Sequence, residues 1–230
     1  MESSLLSSVT KSISLHPDEA IEVIAGRRTQ IRRVVNPQPF LNRPEGILRG
    51  AHIEGDFCWP HPNNKQVRTI SNSISKPGGP DDYVSDFSPW RREDRLWVKE
   101  RWRPFYESDT GVVGIQYSHG ESEEFYGEEK ELCLKTLNGT DRWRPSTHLP
   151  KWAARTVIKV VDVWIERLHA ISRDDCRLQG CRLPLTPADT TFYDGFDELR
   201  SQFAMQWDID NKEYHWAKNP WVWVISFNKL

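Results

Sequence analysis

Apolar residues first return at helical spacing at Ile21 and Ile24, just after His16-Pro17-Asp18-Glu19-Ala20. Proline and acids there mark a helix start, and Gly26 stands where a helix stops. Residues 29–35 mix β-branched side chains with arginines and end at Asn36-Pro37, which predicts a strand. In such a strand Thr29, Ile31 and Arg33 share one face, and Gln30 and Arg32 share the other. Further strands are predicted over 95–100, 112–117, 132–136 and 155–168. In the last of these Val157, Val161, Val163 and Ile165 fall on one face, and Lys159 breaks the run. Ser172-Arg173-Asp174-Asp175 has the Ser-x-x-acid form of a helix start. Phe196, Leu199, Phe203 and Trp207 mark one stripe of a further helix. Residues 221–227 are almost continuously apolar, the pattern of a strand covered on both faces. Short strands with two or three helices define an α+β chain, mainly β, and predict a small, partly closed barrel.

Between Pro37 and Pro89 this periodicity is lost. Prolines 37, 39, 44, 60, 62, 77, 80 and 89, with Gly78-Gly79, interrupt every period. Residues 37–90 are therefore read as a long irregular insertion, with short strands near 47–52 and 67–70. Residues 119–131 are read as a solvated acidic loop. The whole chain, 1–230, is read as one domain, since 230 residues suffice to bury a core.

Composition narrows the function classes. Hydrophobic residues make up 37% and charged residues 28%. No apolar run approaches the roughly 20 residues that a bilayer demands, so no membrane partner is expected. Residues 1–10 are Ser-rich without the basic and long apolar regions of a signal peptide, so the cytoplasm is the expected location. The four cysteines, Cys58, Cys133, Cys176 and Cys181, form no CxxC pair, and the seven histidines form no HExxH or HxxxH. Reduced thiols are expected, with no metal and no cofactor. A net charge of −2 gives no global basic field. Positive charge is nevertheless clustered at Arg27, Arg28, Arg32 and Arg33, at Arg91, Arg92 and Arg95, and at Arg101 and Arg103. Such clusters are what a phosphate backbone requires. Most of the eleven tryptophans are explained by core packing.

Four segments in order carry a resemblance: Ala25-Gly26-Arg27-Arg28-Thr29-Gln30-Ile31-Arg32-Arg33, then Asp94-Arg95-Leu96-Trp97-Val98-Lys99-Glu100, then Arg142 to Ala153, then Asn219-Pro220-Trp221-Val222-Trp223-Val224-Ile225. Together they resemble the ASCH-domain family, in particular its long phage and prophage branch, across about two-thirds of the chain. The resemblance implies a PUA-like β-barrel, a cleft near the first helix-to-strand turn, and a role around RNA or modified nucleosides in a bacterial host. Some members of that family are acetylcytidine amidohydrolases. Their chemistry is attributed to a Lys in a Gly-Arg-Lys-Thr motif, a Thr three places beyond it, and a Glu in the helix after the long strand. Here those positions hold Arg28, Ile31 and Gln179. A guanidinium stays protonated, an isoleucine has no hydroxyl, and an amide is no base, so no evident proton path remains.

The candidate site residues each admit two readings. Arg27, Arg28, Thr29, Arg32 and Arg33 form either a clamp for phosphates and base edges or a solvated basic edge paired with Glu22 or Asp18. Trp97, between Arg95 and Lys99, either stacks a base or covers the core. Glu100 is either a buried acid paired with a motif arginine or a surviving acid/base. Arg144, Ser146 and His148, with Trp143 and Trp152, lie in a loop of the kind that carries sites; His148 is either an acid/base of such a site or structural. The leading expectation is an RNA- or modified-nucleoside-binding module. The alternatives are a nucleoside amidohydrolase or ribonuclease with relocated catalytic groups, and a phage morphogenesis accessory protein.

Overall fold

A computed structural model describes residues 9, 11–36, 38, 40–41, 48–49, 52–53, 57–60, 67–70, 88–137, 142–182 and 196–230. In chain order its elements are β1 (Lys11–Ser14), α1 (Pro17–Ile24), β2 (Gln30–Val34), β3 (Phe40–Leu41), β4 (Leu48–Arg49), β5 (His52–Ile53), β6 (Phe57–Pro60) and β7 (Val67–Ile70). There follow β8 (Arg95–Lys99), β9 (Trp102–Tyr106), β10 (Val113–Tyr117), β11 (Ser122–Glu124), α2 (Gly127–Leu137), β12 (Val157–Arg167), α3 (Arg173–Leu178), α4 (Phe196–Asp210) and β13 (Trp221–Lys229). The chain is α+β and rich in strand, and its described strands form open sheets with no closed barrel among them. No helix among the described residues is long and apolar enough to cross a membrane.

The chain divides into two compact units. The first comprises residues 1–27, 94–159 and 228–230. In it β1 runs parallel to β8, and β8 pairs antiparallel with the start of β12. A meander of β9, β10 and β11 lies in the same unit. Alternation decides what is buried: Val113, Ile115 and Tyr117 enter the core with Trp97 and Trp102. Gly114, between them, is there for want of space. A Cβ at that position would meet the Phe105 ring at 2.5 Å and collide with the carbonyl oxygen of Glu123.

The second unit comprises residues 28–93 and 160–227. Here β13 pairs antiparallel with β2, so that Trp223 stands beside Arg33 and Val224 beside Arg32. Leu199, Phe203 and Trp207 of α4 pack on Leu168, Cys176, Val222 and Val224, as their spacing requires. The predicted cap of α3 is present: Ser172 Oγ accepts from the Asp175 amide at 3.1 Å, and Asp175 Oδ2 accepts from the Ser172 amide at 3.0 Å. Residues 221–225 and 227 are all buried, as a strand covered on both faces demands.

Several expectations are corrected. Residues 132–136 are helical, not a strand, and the acidic stretch ends in strand β11 and helix α2. Glu128 and Glu129 in the first turn and Lys135 in the last suit the helix dipole, and Cys133 and Leu137, four apart, share the packed side. In α1 the buried residues are Glu19, Ala20 and Val23, not Ile21 and Ile24. In β12 burial falls on Val157, Ile158 and Val160, then on Val163 and Ile165, leaving Val161 41% exposed. This change of parity explains why a single alternating face does not describe the strand. The strand expected over 47–52 is a pair, β4 with β5, and β7 lies where expected. Most of the 37–90 insertion, and residues 1–8, lie outside the described residues.

Replacing Gly114 by alanine is expected to destabilise the protein by about 1–3 kcal/mol, the usual cost of forcing atoms into a packed site. Urea denaturation of the variant beside the parent measures this.

Candidate functional site

The predicted arginine motif crosses the boundary between the units, which falls between Arg27 and Arg28. From Arg28 onward it belongs to a polar network of the second unit. Arg32 has no exposed side-chain surface. Its Nε and Nη2 donate to Glu166 Oε1 at 3.1 and 2.6 Å, Nη1 donates to Gln30 Oε1, and Nη2 lies 3.4 Å from Asp175 Oδ2. The Gln30 amide is fixed at both ends, since its Nε2 donates to Asp175 Oδ1 at 2.9 Å. Gln179 Nε2 donates to Gln30 Oε1 at 3.0 Å, and Gln179 Oε1 accepts from Arg28 Nη2 at 2.8 Å. Arg28 Nε also donates to the Gln30 carbonyl at 3.2 Å. Trp164 Nε1 holds the second oxygen of Glu166 at 3.0 Å.

The elements explain the convergence. Gln30 and Arg32, two apart on β2, project to the same side of the strand. Glu166 lies at the end of β12, and α3 supplies Asp175 from its first turn and Gln179 at its C-cap. Gln30, Arg32 and Gln179 are 2–4% exposed, whereas Arg28 is only half-buried. The network therefore runs from a closed interior outward to Arg28.

Burial by itself raises the pKa of Asp175, but hydrogen bonds from Ser172 and Gln30 and the charge of Arg32 outweigh it, so the carboxyl lies below its ordinary 3.8. Burial pushes the Cys176 thiol up to about 11, with Cys181 adding to the effect. Burial also raises Cys181, against the opposing influence of Arg28 and Arg32. The arrangement offers guanidinium hydrogen-bond donors and an amide group at its outer end.

The remaining candidates lie elsewhere. Arg27 is exposed and bound to Glu22 through Nε at 2.9 Å and Nη2 at 2.6 Å, which is the solvated-edge reading. Thr29 acts through its backbone, donating to the Leu178 carbonyl at 3.1 Å and accepting from the Phe227 amide at 3.0 Å. Arg33 Nη1 donates to the Arg32 carbonyl at 3.0 Å.

In the first unit, Trp97 is core, 8% exposed, with the Lys99 ammonium 4.8 Å from its ring centroid. Glu100 is fully buried, but its partner is not a motif arginine. Arg155 grips it with Nε at 3.1 Å and Nη2 at 2.9 Å. His119 Nε2 is 3.6 Å from the same carboxylate, and the Arg155 guanidinium lies 4.1 Å from the Tyr117 ring centroid. Glu100 directly follows β8 and Arg155 shortly precedes β12, and the antiparallel pairing of those two strands brings the two residues together. Arg144 lies over the Trp102 ring, Ser146 is half-buried and His148 is exposed, both in the turn Ser146–His148. Gln30, Glu166 and Asp175 as partners of Arg32, and Arg155 with His119, were not identified from the sequence. An acid opposite a buried arginine leaves no local signal when it is 134 residues away.

Among the described residues no group of three or more His, Cys, Asp or Glu is placed to hold a metal ion. No family model, no curated protein and no solved structure matches the chain.

Arg32→Ala is expected to cost about 3–5 kcal/mol, because it leaves Glu166 and Asp175 facing each other without a cation. Chemical denaturation beside Arg27→Ala, whose pair with Glu22 is solvent-exposed and whose loss is expected to leave stability nearly unchanged, checks the contrast. Asp175 has a depressed folded value, so its contribution is present above its unfolded value of 3.8 and is lost as pH falls through the folded one. The stability gap between the parent and Asp175→Asn is therefore expected to be largest near neutrality and to shrink in acid below pH 3.8, as read by urea unfolding across that range.

Proposed function

We propose that this protein binds a modified nucleoside or RNA at the Arg28–Gln179 end of the buried network, in a PUA-like, ASCH-type fold of phage or prophage origin working in the bacterial cytoplasm. The observation that carries this reading is the 2.8 Å hydrogen bond from Arg28 Nη2 to Gln179 Oε1. The ASCH resemblance points to these two positions, 151 residues apart in sequence, as a reacting pair. A guanidinium and an amide retain the recognition chemistry of such a pair, because they offer donors and an acceptor to a base edge or a phosphate. They do not supply the proton exchange that hydrolysis of an acetyl amide needs. Binding without turnover is the reading that fits both facts.

Titration calorimetry with free acetylcytidine and cytidine monophosphate tests it. The parent is expected to bind at least one of them and to leave acetylcytidine intact. Arg28→Ala is expected to weaken binding about ten- to a hundredfold, the worth of hydrogen bonds to a charged group. Equal affinity in Arg28→Ala would remove this site from the reading, and deacetylation by the parent would replace the binding module with the amidohydrolase.

A further inference from the structure

A second surface, built in the first unit from other residues, has the form of a stacking platform. Strand β9 and the segment after residue 142 meet at one antiparallel bridge, Trp102 opposite Arg144, with the Arg144 amide donating to the Trp102 carbonyl at 2.7 Å and the Trp102 amide returning a bond at 3.3 Å. Alternation on either side of that bridge sorts the neighbouring side chains. Trp102 turns inward, 1% exposed, with the Arg144 guanidinium 4.9 Å from its ring centroid. Arg101, Arg103 and Trp143 turn the other way. The guanidinium carbons of Arg101 and Arg103 lie 5.5 and 5.2 Å from the Trp143 centroid, and Trp143 remains 38% exposed. Arg103 is held there by Gln116, its register partner on β10, which accepts from Arg103 Nε at 2.7 Å.

Charge is one-sided along the two segments that build this place, while the neighbouring β11 and α2 are acidic. From Arg142 to Arg155 the chain contains no carboxylate. Between Lys99 and Tyr106 the single acid is Glu100, whose carboxylate is buried against Arg155. An indole flanked by cations in a segment without acids matches a polyanion that carries flat rings, the chemistry of single-stranded nucleic acid.

We infer that Arg101, Arg103 and Trp143 form a binding surface for single-stranded RNA or DNA, with Trp143 stacking a base and the arginines meeting the adjoining phosphates. The inference extends the nucleic-acid reading above and rests on it for the class of ligand, but it uses none of the same atoms. It implies that the natural ligand is a strand rather than a free nucleoside.

The test is fluorescence anisotropy with a labelled short oligouridylate and full-length protein. Trp143→Ala is expected to lower affinity about tenfold, within the range found for one stacked base, and Trp143→Phe to retain most of it. Arg101→Ala with Arg103→Ala is expected to reduce the slope of log affinity against log salt by about 1.4, if each guanidinium neutralises one phosphate of a single strand. Unchanged oligonucleotide affinity in Trp143→Ala, with an unchanged melting curve, would overturn the inference. So would equal competition by polyglutamate, which would reveal a surface for anions in general. Running Arg28→Ala on both the oligonucleotide and the free nucleoside separates the two sites. Loss of the nucleoside alone in Arg28→Ala, with loss of the oligonucleotide in Trp143→Ala, supports both sites. Loss of oligonucleotide binding only in Arg28→Ala defeats the platform, and unchanged nucleoside affinity in Arg28→Ala defeats the Arg28 site while leaving the platform standing.

Discussion

A guanidinium with no exposed side-chain surface must find all its partners inside the protein, and Arg32 is such a group. Removing it from water costs several kcal/mol, and only close, well-oriented acceptors offset that loss. Glu166, Gln30 and Asp175 supply them from β12, β2 and α3. Each acceptor is then oriented in its turn: Glu166 by Trp164, Asp175 by the Ser172 cap, and Gln30 by Gln179. Phe203 of α4 closes over the guanidinium at 5.9 Å. A single buried charge thus sets the rotamers of residues on three elements, and the position of Arg28 at the rim follows from them.

The parts of this architecture that were legible in the sequence are those governed by local rules. The apolar run at 221–227, the helical stripe Leu199, Phe203 and Trp207, and the Ser172 cap all appear where periodicity and capping chemistry place them. Residues 132–136 misled because Leu132, Leu134 and Thr136 alternate like a strand, whereas Leu132 and Leu134 are in fact exposed on a helix. The arginine motif was legible as a cluster but not as a division of labour. Neighbouring arginines in a strand point to opposite sides, and which side has a buried acid waiting depends on β12 and α3, far along the chain. The same limit applies to Glu100, whose partner Arg155 is 55 residues distant.

The alternation that consigns Arg32 to the interior also separates the two kinds of cation elsewhere. Trp102 and Arg144 face inward across their bridge, so the Arg144 charge rests on a buried indole. Arg101 and Arg103, offset by one residue, gather at the exposed Trp143. Counting arginines therefore says little about where a polyanion would rest on this protein. Net charge is −2, and among the cations Arg32 is neutralised by Glu166 and Asp175. Those with an exposed aromatic partner belong to a different strand and a different unit.

Holding a nucleoside and hydrolysing it place opposite demands on the group at the Arg28 position. Recognition is served by a cation that keeps its charge through any change of surroundings, and a guanidinium does this even when half-buried. Hydrolysis is served by a group poised near the working pH, which must release its proton as readily as it binds one. The neighbours of Arg28 reinforce the first property. Gln179 fixes its orientation without titrating, Asp175 stays ionised further along the network, and the thiol of nearby Cys181 is pushed upward by burial. Exchanging Arg28 for lysine would not, on the proposed reading, by itself complete a proton path, because Gln179 and Ile31 would still lack the acid and the hydroxyl that the ASCH resemblance implies for a hydrolase. On the proposed reading, a change of chemistry at this site requires all three positions to change together, so a purely binding role is a stable state for such a fold.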